Sequence, residues 1–217
     1  MPVPQSIPLL DALPAGERDR LVPLLTERML REDEVLLPMG EPISALWLLT
    51  GAVVARVALH RSGVMQEAGL SGHGTIAGAF GLIGDGASPW EVRVRRAGTA
   101  LRLGSEHFPE LRDATPQFVA IVERVACSEA AGLASEFALR SCRSARACVA
   151  GRLLDYFETL EEPVLRITHR QLASRLALRR ATVTIALQEL EAVKAVRARR
   201  GAIELVNAER LSEAALA

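Results

Sequence analysis

The residues with the most definite chemistry lie between Thr168 and Gly201. The stretch THRQLASRLALRRATVTIALQEL, Thr168 to Leu190, sets Arg170, Arg179 and Arg180 beside the small polar groups of Thr168, His169, Thr182, Thr184 and Gln188, and a second basic pair, Arg199 and Arg200, follows it. Guanidinium groups bind phosphate oxygens, and they also match the paired acceptors on the major-groove edge of guanine. Hydroxyl and imidazole groups at a helix start add phosphate contacts that orient a protein on a duplex. The pattern points to double-stranded DNA as the partner.

The spacing says how these groups are held. Thr168 can cap a helix from His169 to Leu176, whose Leu172, Ala173 and Leu176 share one face. Three residues later a second helix, from about Arg180 to Ala192, buries Val183, Ala186, Leu187 and Leu190 and turns Arg180, Ala181, Thr184 and Gln188 outward. Ala173 is small where the second helix must cross closely. In such a pair the N-terminal residues of the second helix meet base edges, which assigns Arg180 to a guanine and Arg179, Thr182, His169 and Arg170 to backbone phosphates. VRARRGAIELVN then reads as two short strands turning at Arg200 and Gly201, so that Arg199 and Arg200 sit at a hairpin tip.

The formal net charge of zero conceals an uneven distribution. From Arg140 to Arg200 there are thirteen basic and six acidic residues, a net charge of +7, which the rest of the chain balances with −7. A basic module joined to an acidic one suits nucleic-acid binding. The chain is 217 residues long and 49% hydrophobic, enough for a sizeable core. No uninterrupted apolar run reaches membrane-spanning length and the first residues lack a leader pattern, so a soluble cytoplasmic protein is expected. Cys127, Cys142 and Cys148 lack metal-ligand spacing and read as buried reduced thiols; no metal or cofactor is expected. No nucleophile elbow, HExxH or phosphate-binding GxxxxGK occurs, and the chain does not read as an enzyme.

Three sections are legible. Residues 1–114 open with a helical stretch, ERDRLVPLLTERM, and continue with the glycine-punctuated runs DEVLLP, ALWLL, GAVVARVAL, VMQEAGL, EVRVRR and TALRLG, the mark of an antiparallel roll or sandwich. Residues 115–140 change to helical period: Thr115 reads as an N-cap before Pro116, and Phe118, Ile121, Val122, Val125 and Leu133 form a seam up to Leu139 suited to a second copy of the chain. Residues 141–217 hold a further helix, Arg146 to Leu160, the helix pair and the hairpin, which together make a winged helix-turn-helix.

The segment ITHRQLASRLALRRATVTIALQELE with RRGAIEL after it, the roll segments PMGEPISALWLLTGAVV and GTIAGAFGLIG, and the long helix between them resemble the Crp/Fnr family of bacterial transcription regulators. The resemblance implies an α+β fold: an N-terminal cyclic-nucleotide-binding-like β-roll, a long dimerisation helix and a C-terminal winged helix-turn-helix. It implies a homodimer on a pseudo-palindromic site, with RNA polymerase as a further partner. Family members that bind cyclic AMP carry Gly-Glu for the ribose and Arg followed by Ser or Thr for the phosphate. At those positions this chain has Gly78-Ala79, with Phe80 next, and Glu91-Val92. A carboxylate facing a phosphodiester repels it, so cyclic AMP is not the expected effector by the usual contacts. A shifted register could bring Arg93, Arg95 or Arg96 inward instead. Oxygen-sensing members use N-terminal cysteines, and no cysteine precedes Cys127; for a haem ligand only His73 and His107 offer themselves. The alternative reading is a small-molecule-binding module whose helix-turn-helix serves protein contacts.

Overall fold

Alternation of apolar and polar residues decides where the first half of the chain runs as strand. The computed structural model describes residues 7–59, 65–84, 86–140 and 144–216, with side chains throughout except at 59 and 135–140. Cys142, expected to be a buried thiol, lies outside them. After α1 (Pro8–Asp11) and α2 (Ala15–Leu21) come β1 (Leu25–Leu30), β2 (Val35–Leu37), β3 (Ala45–Leu49), β4 (Val53–Leu59), β5 (Met65–Ser71), β6 (Ile76–Ala77), α3 (Phe80–Ile83), β7 (Glu91–Arg96), β8 (Gly98–Gly104) and α4 (Phe108–Ala114). The remainder is α5 (Pro116–Arg140), α6 (Ala145–Leu160), β9 (Val164–Leu165), α7 (His169–Leu176), α8 (Arg180–Ala192), β10 (Val196–Arg199), β11 (Ala202–Leu205) and α9 (Ala208–Leu216). No described helix is long and apolar enough to cross a membrane.

Contacts group the chain into two units: Met1–Val57 with Ser71–Gly132, and Ala58–Leu70 with Leu133–Ala217. In the first unit one antiparallel sheet runs β1-β8-β3-β6, and β2, β7 and β4 lie side by side in another. All of β3 is buried, so both faces carry apolar residues. Leu46 and Leu48 join Ile76, Leu101 and Leu103 in a core covered by Leu9, Leu10, Leu21, Phe108, Leu111 and the start of α5.

Three expectations are corrected here. The opening helix expected from Glu17 to Met29 ends at Leu21; Pro23 interrupts it, and LTERML pairs along β8 from Leu25↔Leu103 to Leu30↔Gly98. Ladder pairing overrides the weak helical preference of that stretch. Thr115 does not cap α5, because its hydroxyl donates back to the Leu111 carbonyl at 2.6 Å. The cap is the carboxylate of Glu17, which accepts from the Gln117 and Phe118 amides at 3.0 and 2.9 Å and places negative charge at the positive end of the helix. Finally, Phe118 and Val122, expected at a dimer seam, are wholly buried in the core of their own unit, with Ile121 and Val125 packed against it. Leu133 is half-buried.

Further along α5, Glu129 meets Arg56 of β4 at 3.1 Å, and the same Arg56 Nη1 donates to Ser71 at 2.6 Å. Burial raises the Glu129 carboxyl above its ordinary range; the neighbouring Arg56 charge and its hydrogen bond pull it down without prevailing.

The second unit is built around α6, whose N-cap Ser144 accepts from the Ala147 amide at 3.1 Å. Val149, Leu153 and Phe157 pack with Leu172, Ala173 and Leu176 of α7, Val183, Leu187 and Leu190 of α8, and Leu211 of α9. The sheet β10-β11-β9 closes one end. Between α7 and α8 the chain turns at Ala177 with φ 55°, a left-handed conformation that side chains disfavour. In the same unit Glu67 of β5, 1% exposed, accepts from the Tyr156 hydroxyl and lies 3.6 Å from Arg175 Nε, while Arg152 Nη2 donates to the Glu67 carbonyl at 2.9 Å. Arg175 also donates to the Tyr156 hydroxyl at 2.7 Å and lies over its ring.

Two stability measurements check these points. A raised Glu129 favours the fold fully below the usual carboxyl pKa of 4.5, and that contribution is lost as pH rises through the higher folded-state value. Urea unfolding of the wild type should therefore lose stability upward from that pH, and Glu129→Gln should remove this part of the slope; an unchanged slope refutes the assignment. Ala177→Gly relieves the left-handed strain and should stabilise by about 0.5–1 kcal/mol in the same assay.

Candidate nucleic-acid interface

Thr168 begins the interface by ending the extended chain. Its hydroxyl accepts from the Gln171 amide at 3.2 Å while Gln171 Oε1 accepts from the Thr168 amide at 2.9 Å, a reciprocal cap worth about 1 kcal/mol. The helices run from His169 to Leu176 and from Arg180 to Ala192, the bounds expected from the spacing. Burial of Val183, Ala186, Leu187 and Leu190 leaves Ala181, Ile185, Gln188 and Glu189 exposed on the opposite side of α8, with Arg180 exposed in its first turn. The hairpin turns at Arg200 and Gly201, where Gly201 has φ 76° and meets no steric limit.

A cleft of about 590 Å³ gathers six of the expected residues. Thr168, His169, Arg170, Arg180, Arg199 and Arg200 line it with Gln171 and Gly201. Arg170, Arg180 and Arg200 are exposed and bring positive charge to the start of α8, where unpaired helix amides add to it. Arg179, also exposed, is the residue preceding α8 and lies outside the cleft lining, as does Gln188.

Several expected contacts are engaged within the protein. The Thr184 hydroxyl donates to the Arg180 carbonyl at 3.0 Å and meets His169 Nδ1 at 3.1 Å, so it ties α7 to α8 and is not a free hydrogen-bonding group. Arg199 donates through Nε and Nη2 to Glu204 at 3.0 and 2.9 Å, and Arg197 lies 3.5 Å from the same carboxylate. The hairpin tip therefore offers less charge than its arginine count. Thr182 points to a different concavity, of about 450 Å³, lined also by Ser144, Ala145, Arg146 and Ile185. Arg146, two residues past the Ser144 cap, is an additional basic group on this side of α8. Its only sequence signal was an arginine in the first turn of a capped helix.

The residues expected at an effector pocket lie in the first unit. Gly78 has φ 86°, and a Cβ there would come 2.8 Å from the Ala45 carbonyl oxygen and 3.1 Å from Leu37 Cδ1. Ala79 is wholly buried, and Phe80 packs edge-on against Trp90 with ring centroids 5.2 Å apart. Glu91 and Val92 lie on opposite faces of β7: Val92 is buried, and Glu91 accepts from Arg93 Nε at 2.7 Å. Arg93 also donates to the Asp33 carbonyl, Arg95, its side chain 8% exposed, pairs with the Asp33 carboxylate at 2.8 Å, and Arg96 Nη2 reaches the Gly51 carbonyl at 3.4 Å. His73 meets the Thr50 carbonyl and His107 lies 3.9 Å from Glu106. Cys127 is exposed on α5 and Cys148 half-buried, which corrects the expectation of buried thiols. Among the described residues no group of three or more His, Cys, Asp or Glu could hold a metal ion.

Residues 149–214 match the family model of the Crp-like helix-turn-helix domain. None of the curated proteins matches the chain. The fold is similar to that of FixK2 from Bradyrhizobium japonicum (19% identity, 87% of this chain and 96% of that one, TM-score 0.72) and of a CRP/FNR-family transcriptional regulator from Thermus thermophilus (20%, 88% and 99%, 0.74). It is also similar to that of CLP from Xanthomonas campestris, a c-di-GMP responsive global regulator (18%, 88% and 99%, 0.73). The match shows a Crp-like helix-turn-helix domain over residues 149–214, and the solved structures show the α+β fold that the resemblance implied. A helix-turn-helix of this type is a DNA-binding domain.

If Glu204 restrains Arg199, removing its charge strengthens a phosphate contact. Glu204→Gln should raise affinity for duplex DNA and steepen the fall of log Kobs with log salt by about 0.9, the increment for one added phosphate contact. An unchanged slope excludes Arg199 from the interface.

Proposed function

We propose that this chain, with its Crp-like helix-turn-helix domain and Crp/Fnr fold, is a transcription regulator that binds duplex DNA as a homodimer and does not respond to cyclic AMP through the family's usual contacts. The observation that carries the reading is the gathering of Arg170, Arg180 and Arg200 around the exposed start of α8. A convex helix face with that charge at one end fits the major groove, where Arg180 reaches a guanine edge and its neighbours hold phosphates.

The dimer rests on α5. With Phe118 and Val122 in the core, the available face carries Glu123, Arg124, Cys127, Ala131 and Ala134, all exposed. Small residues on such a face allow two helices to approach closely, and two-fold symmetry then sets half-sites about 10–11 base pairs apart. RNA polymerase is the machinery such a regulator acts upon. The roll supports the absence of a cyclic AMP response: Ala79 has no carboxylate for a ribose, Glu91 brings a negative charge already paired with Arg93, and Leu37 lies beside Gly78.

Selection of bound sequences from a random duplex pool by the purified chain should return a pseudo-palindrome. Arg180→Ala should then cost about 1–3 kcal/mol and relax preference at one guanine per half-site, whereas Arg200→Ala should weaken all duplexes alike and reduce the salt slope by about 1. Duplex affinity that survives Arg179→Glu with Arg180→Glu refutes the reading and favours a protein-contact role for the helix pair. Calorimetry with cyclic AMP should show no heat of binding.

A further inference from the structure

The outward face of α8 carries an apolar residue that nothing within its unit covers. Val183, Leu187 and Leu190 are at most 1% exposed, yet Ile185, in the middle of the same helix, is 56% exposed. Ala181, one turn before it, and Gln188, three residues after it, are exposed on the same face. A β-branched aliphatic in this position contributes neither to the core nor to helix propensity. Its surroundings carry both signs: Arg179 and Arg180 at the start of the helix, Arg146 across the cleft that Ile185 lines, and the exposed Glu189, one turn further on, lining the same cleft.

On the reading that α8 enters the major groove, an exposed aliphatic group on its outward face has a specific complement. The groove of an anionic duplex presents one apolar feature, the C5-methyl group of thymine. Thr184 is only half-exposed, its hydroxyl held by the Arg180 carbonyl and His169, so Ile185 is the more exposed aliphatic group. We propose that Ile185, with Ala181 beside it, is a specificity-determining residue that packs on a pyrimidine C5-methyl group, so that each half-site carries a thymine near the guanine read by Arg180. Five residues of helix advance about 7.5 Å, on the order of two base-pair steps at 3.4 Å each. This selection is apolar and rests on shape and burial, whereas that of Arg180 rests on hydrogen bonds.

The test uses the full chain and a duplex obtained by the random-pool selection. Each thymine is replaced in turn by deoxyuridine, which removes the methyl group and leaves base pairing intact. Loss of one buried methyl should weaken wild-type binding about three- to five-fold at one thymine per half-site and at no other. Ile185→Ser should still bind the site but no longer distinguish thymine from uracil there, and Ile185→Val should retain a reduced difference. Placing cytosine at that position should weaken binding, and 5-methylcytosine should recover the methyl-dependent part. Uracil tolerated at every thymine, or a thymine preference that persists in Ile185→Ser, overturns the assignment of Ile185 while leaving DNA binding intact. Failure to select any duplex overturns both.

Discussion

The close crossing of α7 on α8 is the constraint on which the rest of the DNA-facing surface depends. Ala173 is small enough to let the helices approach, and the chain reverses between them through Ala177 in a left-handed conformation. Burial of Leu172, Leu176, Val183, Leu187 and Leu190 then fixes the rotation of α8 about its own axis. Once that rotation is set, Ala181, Ile185, Gln188 and Glu189 face out because their neighbours cannot, while Arg180 is exposed as the first residue of the helix. The contact of His169 with Thr184 adds a polar tie between the same two helices. A hydroxyl that looks available for recognition is spent on positioning the helix that performs it.

Charge is distributed by the same packing. The +7 of the stretch from Arg140 to Arg200 overstates what a ligand meets. Arg152 and Arg175 are drawn inward to Glu67 and Tyr156, and Arg197 and Arg199 share Glu204. Burying Glu67 without these partners would be costly, so the arginines around it satisfy a structural need before any functional one. Of the exposed basic groups, Arg170, Arg180 and Arg200 meet at one cleft, with Arg179 next to Arg180 in the chain. A local charge density of this kind, more than a net total, governs attraction to a polyanion.

The first unit follows a different logic. Its strand β3 is buried on both faces, and Gly78 is held where any Cβ would strike the Ala45 carbonyl or Leu37. The polar groups expected to greet a ligand are instead paired with one another or with the backbone, as Glu91 is with Arg93 and Arg95 with Asp33. The buried pair of Arg56 and Glu129 joins β4 to α5, and burial raises its carboxyl above the ordinary range.

Much of this was readable in the residues alone. Periodicity located β2, β3, β4, β7, β8, α5, α7 and α8, because each carries a strong apolar repeat whose burial outweighs other terms. The capping pattern at Thr168 and the turn at Arg200 and Gly201 are local, and local chemistry is written in consecutive residues. Tertiary structure decided what depends on partners distant in sequence. LTERML becomes a strand because β8 lies beside it, α5 is capped by a glutamate a hundred residues away, and Phe118 and Val122 belong to a core instead of a seam. Which arginines remain available was equally invisible, since Glu67 and Glu204 reach Arg175 and Arg199 only after the chain has folded. Sequence spacing specifies which face of an element a side chain occupies; only the packed structure specifies what that face meets.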